Sequence, residues 1–95
     1  MNDFEYVGKR VSTNYHPFNV RGNVLATVVG VLIDGDLVIR FDDKSRGHDG
    51  ISERNIKYGS WGSPGSRGHW FVSKKEITLL KNDISELENP EYEIL

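Results

Sequence analysis

The sequence predicts a mainly β domain, a single small barrel of five short strands. Three observations predict it. Short runs rich in Val, Ile, Leu and Phe recur at regular intervals between turn residues, the pattern of a small barrel or sandwich. Asp34-Gly35 lies between two apolar runs, the strongest short-range signal for a hairpin. Ser73-Lys-Lys-Glu76 has capping-box spacing but leaves room for one turn before the next strand.

In chain order, Tyr6 to Ser12 reads as a first strand with Gly8 as a bend, and residues 13–22 as a polar loop punctuated by Pro17 and Gly22. Asn23 to Ile33 is the strongest strand, apolar on both faces: Val24, Ala26 and Val28 on one, Leu25, Val29, Val31 and Ile33 on the other. A small barrel buries one face fully, so the second calls for a cover, from the tail or from a second subunit. Asp34-Gly35 is expected as a type I′ turn. Asp36 to Phe41 returns with Leu37, Ile39 and Phe41 on one face.

Residues 42–68 form a long loop that holds Gly59, Gly62, Gly65 and Gly68 with Pro64 and several serines. Loops longer than about 12–15 residues are uncommon in compact domains and are usually functional or disordered. His69 to Val72 is a short aromatic strand, and Ile77 to Leu80 a final one. Residues 1–80 make the barrel. Residues 81–95 make an acidic tail in which residues 82–89 can form a short helical turn packing on it. A single turn between the last two of five strands is the arrangement of SH3-like barrels. An OB-fold would want a helix where the Gly-rich loop stands.

VGKRV, VVGVLIDGDLVIRFDD, RGHDG and GHWFV, followed by KEITLL, resemble a group of small bacteriophage-encoded proteins. That group pairs an SH3-like domain with a GHDG stretch, an H/C-W-x-V strand and a final L-x-x-L strand. The resemblance covers about residues 7–80 and leaves the tail outside. It implies an SH3-like fold and a viral origin, and carries no general biochemical activity with it.

Composition narrows the function. Without cysteine, the 95-residue chain has neither disulfides nor thiolate chemistry. The run from Val24 to Ile33 is far shorter than the roughly 20 residues of a membrane span. No secretory signal is visible at the N-terminus, so a cytoplasmic protein is expected, in the host cytoplasm if viral. Net charge is −2, with the acidic surplus in the tail. That weakens the case for strong duplex binding, which depends on excess cations.

The polar constellation of the loop is His48-Asp49-Gly50 with His69. Two imidazoles and a carboxylate are a ligand set for zinc, with His16 as a further candidate, but no HxH or HExxH spacing brings them together. The reading favoured is that no metal is held. In it His48 bonds a loop carbonyl, Asp49 caps a turn, Gly50 supplies positive φ, and His69 pairs with a loop carbonyl or the surroundings of His48.

Trp70 is expected in the core. Trp61, among glycines and serines, is either a recognition anchor or a plug over the barrel end. Arg46, Arg54 and Arg67, with Lys57, Tyr58, Trp61 and His69, interleave cations and rings as single-strand binders do. Yet residues 42–68 hold five Lys/Arg against four Asp/Glu, a surplus of one. No nucleophile elbow surrounds any serine, and no P-loop lysine follows the glycines.

The expectation is therefore a non-enzymatic, cofactor-free binding module, monomeric or homodimeric, that docks on a host protein through residues 42–70 and modulates it. Its binding residues are Arg46, His48, Arg54, Tyr58, Trp61, Arg67, His69 and Trp70, with Gly59, Gly62 and Gly65 letting the loop adapt. The alternative is a nucleic-acid or nucleotide-binding barrel. A metal-assisted hydrolase built on His48, Asp49 and His69 ranks third.

Overall fold

The structure, a computed structural model, describes residues 1–14, 23–43 and 45–80. The acidic tail and its expected helical turn, and His16, lie outside these residues. Among the described residues six antiparallel strands form one sheet: β1 (Arg10–Thr13), β2 (Val24–Leu32), β3 (Leu37–Phe41), β4 (Ile56–Gly59), β5 (His69–Val72) and β6 (Ile77–Leu79). The order is β5-β3-β2-β1-β6, with β4 pairing the second half of β2. Short 3₁₀ turns at Asp3–Tyr6 and Lys74–Glu76 precede β1 and β6. Among the described residues no helix is long and apolar enough to cross a membrane.

Four features depart from the sequence expectations. The first strand begins at Arg10 rather than Tyr6, because Asp3–Tyr6 closes into a 3₁₀ turn. The Glu5 carboxylate accepts the Asn2 N–H at 2.7 Å and holds that turn. The β2–β3 connection is not a type I′ turn, since Gly35 (φ +96°) has positive φ and Asp34 does not. The Gly35 N–H donates to the Leu32 carbonyl and the Leu32 N–H to that of Asp36. Gly35 is thus the left-handed residue of a three-residue hairpin loop.

The third departure is a bulge. Val28 pairs Ile39 but Gly30 pairs Val38, so Val29 is an extra residue in β2. A bulge shifts side-chain alternation by one. Val31 therefore joins Ala26 and Val28 in the core, while Leu25 and Ile33 are exposed. The continuous second apolar face expected of this strand does not form. The core cluster is Val11, Ala26, Val28, Val31, Leu37, Ile39, Phe41 and Val72, with Trp70 packed against it.

The fourth departure is β4. Residues 42–68 are not all loop: Ile56–Gly59 pairs with β2 beyond the bulge, Gly30 opposite Gly59 and Val31 opposite Tyr58. One edge of β2 is thus shared, its first half taken by β1 and its second by β4. The Ser60 N–H bonds the Val29 carbonyl at 2.9 Å, so the bulge marks the handover.

Ion pairs hold strands together from outside. Arg10 of β1 grips Asp42, after β3, through two bonds of 2.7 and 2.6 Å, and also reaches the Thr27 hydroxyl of the intervening β2. At the other end the Ser73 N–H donates to the Glu76 carboxylate at 2.7 Å, which fixes the turn leading into β6.

Candidate binding face built by residues 42–70

The segment is folded onto the sheet, and His69 is where it closes. His69 is buried. Its backbone forms a two-bond bridge with His48: His48 N–H to the His69 carbonyl at 2.9 Å, His69 N–H to the His48 carbonyl at 2.8 Å. Three glycines crowd the same residue. A Cβ on Gly47 would lie 2.3 Å from the His69 carbonyl oxygen, one on Gly50 2.7 Å from its Cβ, and one on Gly62 2.9 Å from its Nδ1. The residues on either side of β4 are thereby gathered around His69.

His48 lies above this bridge. Its Nδ1 accepts the Gly50 N–H at 2.9 Å, where a bond to a loop carbonyl was expected. Its ring packs on Trp70 and Phe71, with centroids 4.9 and 5.3 Å away. Asp49 caps as expected, its Oδ1 accepting the Ile51 N–H at 3.0 Å, and Gly50 has φ +75°. No three His, Cys, Asp or Glu side chains gather as metal ligands among the described residues. His48, Asp49 and His69 meet through backbone and glycine contacts.

Phe71 stands opposite Val38 across the β3–β5 pair, and Val38 is fully buried. The His48 ring and the Arg54 guanidinium (5.6 Å from the ring centroid) both lie against Phe71. Arg54 in turn bonds Asp34 and Asp36 in the β2–β3 hairpin. This clamp ties residues 52–55 to the hairpin, helped by the Ile33 N–H on the Asn55 carbonyl at 2.9 Å.

Arg46, Lys57 and Arg67 are engaged as well. Arg46 bonds Asp43 at 3.1 Å, Lys57 bonds Asp3 at 3.3 Å, and Arg67 donates to the Ser45 carbonyl at 3.3 Å. The arginine and hydrogen-bonding neighbours hold several carboxylates below their usual range. Asp34 is lowered by the Asp36 N–H and then Arg54, Asp42 by Arg10, and Asp43 by Ser45. Burial, and next the charge of Arg40, lowers the pKa of His69, which disfavours its protonated form.

The aromatic residues divide. Trp70 and Trp61 are each half-buried, and the Nε1 atoms of both are buried without a partner among the described residues, as is Nδ1 of His69. Tyr58 is exposed on β4. Phe4 of the first 3₁₀ turn meets it edge to face, centroids 6.0 Å apart, and is exposed too. Of the glycines expected to let the loop adapt, Gly65 faces open space, whereas a Cβ on Gly59 would strike the Val29 carbonyl at 2.2 Å and one on Gly62 the Asp49 carbonyl at 1.7 Å. Phe4 was missed from sequence, because its neighbourhood with Tyr58 spans 54 residues; its only local sign was an apolar residue in the polar stretch NDFEY.

Comparison with protein-family models, curated proteins and solved structures finds no match to this chain.

Proposed function

We propose that this chain is a non-enzymatic protein-binding module on an SH3-like small barrel, which presents residues 42–70 to a partner protein. The observation that carries this reading is the division of labour within the segment. Its arginines are turned to carboxylates and carbonyls of the same chain, while Tyr58 and Ile51 are left exposed on a backbone held by the His48–His69 bridge. A protein interface draws its affinity from a few aromatic anchors on an ordered surface. Binding of a nucleic-acid backbone instead needs cations available to phosphate. Strand order supports the barrel type: β1 pairs antiparallel with the last strand, and a single 3₁₀ turn separates β5 from β6.

The resemblance to small bacteriophage proteins supports a host protein as the partner, and modulation of that protein as the outcome. Affinity capture from a nuclease-treated bacterial lysate tests the reading. A dominant partner retained after nuclease and at high salt is the expected result. Capture that disappears with nuclease would overturn it in favour of nucleic acid, and an empty bait would overturn it outright.

A further inference from the structure

Beside β4 lies a cleft of about 470 Å³ lined by Met1, Asn2, Asp3, Phe4, Lys57 and Tyr58. Its apolar wall is exposed: Met1 is 63%, Phe4 54% and Tyr58 38% accessible. Large apolar side chains gathered around one concavity are what a soluble domain shows where something docks.

The charge pattern indicates what kind of group fits. The Asp3 carboxylate is shared by two ammonium groups, Lys74 at 2.6 Å and Lys57 at 3.3 Å. The nearby Glu5 carboxylate is turned to the Asn2 N–H. Lys74 holds Asp3 more closely and also lies 5.3 Å from the Tyr6 ring centroid. Lys57 makes the longer bond, and its Nζ lies 5.5 Å from the Tyr58 ring centroid. Lys57 can therefore turn to a new carboxylate while Asp3 keeps Lys74. A cation with a replaceable partner thus stands on the rim of an aromatic cleft.

We propose that this cleft docks a segment of a partner protein that carries a large apolar side chain next to an Asp or Glu. The apolar side chain enters between Met1, Phe4 and Tyr58, and the carboxylate takes Lys57. The inference rests on the protein-binding reading and adds the chemistry of the recognised segment. It also extends the face beyond residues 42–70 to the first 3₁₀ turn.

The test pans a displayed library of random linear peptides against the whole chain. Affinities of the enriched peptides are then measured for wild type, Phe4→Ala, Tyr58→Ala and Lys57→Met, with circular dichroism to check folding. The expected peptides share an apolar residue beside Asp or Glu. Phe4→Ala and Tyr58→Ala should each weaken them roughly tenfold or more, the size of an anchor's loss. In wild type, exchanging the peptide's carboxylate for its amide should weaken binding, and in Lys57→Met it should make no difference. This last comparison is made within one folded protein, so it holds even if an aromatic variant folds poorly.

Enriched peptides that bind Phe4→Ala and Tyr58→Ala as tightly as wild type would overturn the cleft while leaving a protein-binding role elsewhere on the chain intact. Absence of any enriched peptide would overturn it too. An empty bait in the lysate capture would count against the broader reading instead, so the two failures are distinguishable.

Discussion

His69 and Gly62 are in such close contact that a single methyl group on the glycine would reach 2.9 Å from the imidazole Nδ1 and 1.7 Å from the Asp49 carbonyl oxygen. The glycine is there to let three pieces of chain meet. Gly62→Ala should therefore open the closure around His69 and cost about 2–3 kcal/mol, in the range of overpacked sites. Gly65 has φ +79° and nothing near its Cβ position. Gly65→Ala should cost only the left-handed strain of an L-residue, about 1 kcal/mol. Urea unfolding of the two variants checks the contrast. Equal losses would mean that the closure around His69 contributes nothing.

Acid should weaken the fold in two separate steps. Arg40, His48 and Arg67 surround His69, and its pKa is lowered chiefly by burial. An unfolded histidine takes a proton as pH falls through about 6.5, and folded His69 does not until lower pH. The unfolded state binds more protons in that window, so stability should fall as pH drops below about 6.5 and level off below the folded pKa. The lowered carboxylates Asp34, Asp42 and Asp43 act in a different window. Their stabilisation is present above the unfolded carboxylate pKa of about 4 and is lost as pH falls through their folded values. Urea midpoints across pH should show both steps, and His69→Gln should remove the upper one alone.

Arg54 ties the segment to the hairpin through Asp34 and Asp36 and covers Phe71. The pairs are partly exposed, so each contributes modestly, but the side chain also packs on the ring. Arg54→Ala should cost about 1–2 kcal/mol. Hydrogen exchange should show faster opening at residues 52–59 than at β1 and β6. Uniform acceleration over the whole sheet would contradict a local clamp.

Trp61 and Tyr58 should behave differently from each other. Trp61 is half-buried with a buried Nε1, whereas Tyr58 is exposed on a strand. Trp61→Ala should lower stability by about 1–2 kcal/mol through lost packing. Tyr58→Ala should change it by about 0.5 kcal/mol or less, as surface substitutions do. Thermal melts of the two variants decide this, and unchanged stability in Trp61→Ala would make that ring a recognition anchor after all.

Much of the sheet was legible because its strands carry their own apolar runs, as in VLATVVGVL and LVIRF. β4 was not, because IKYG has one aliphatic residue and a glycine and is held by backbone pairing with β2. The bulge at Val29 was hidden for the opposite reason. Valines on both sides read equally well in either register, and only the paired strands decide which way Val31 faces. The site was half legible. Glycines near GHDG and GHWF signalled an unusual stretch, yet their purpose is contact with a histidine many residues away, which local spacing cannot encode. Arg54 looked like part of a cationic patch because its carboxylate partners, Asp34 and Asp36, lie outside the loop.

The proposal that a protein partner is bound through an exposed aromatic face is tested by quantitative capture with wild type and Tyr58→Ala from nuclease-treated lysate. One partner should be held by wild type at low and high ionic strength, and lost by Tyr58→Ala at unchanged stability. Capture that is equal for both proteins, or that falls away steeply with salt, would contradict it.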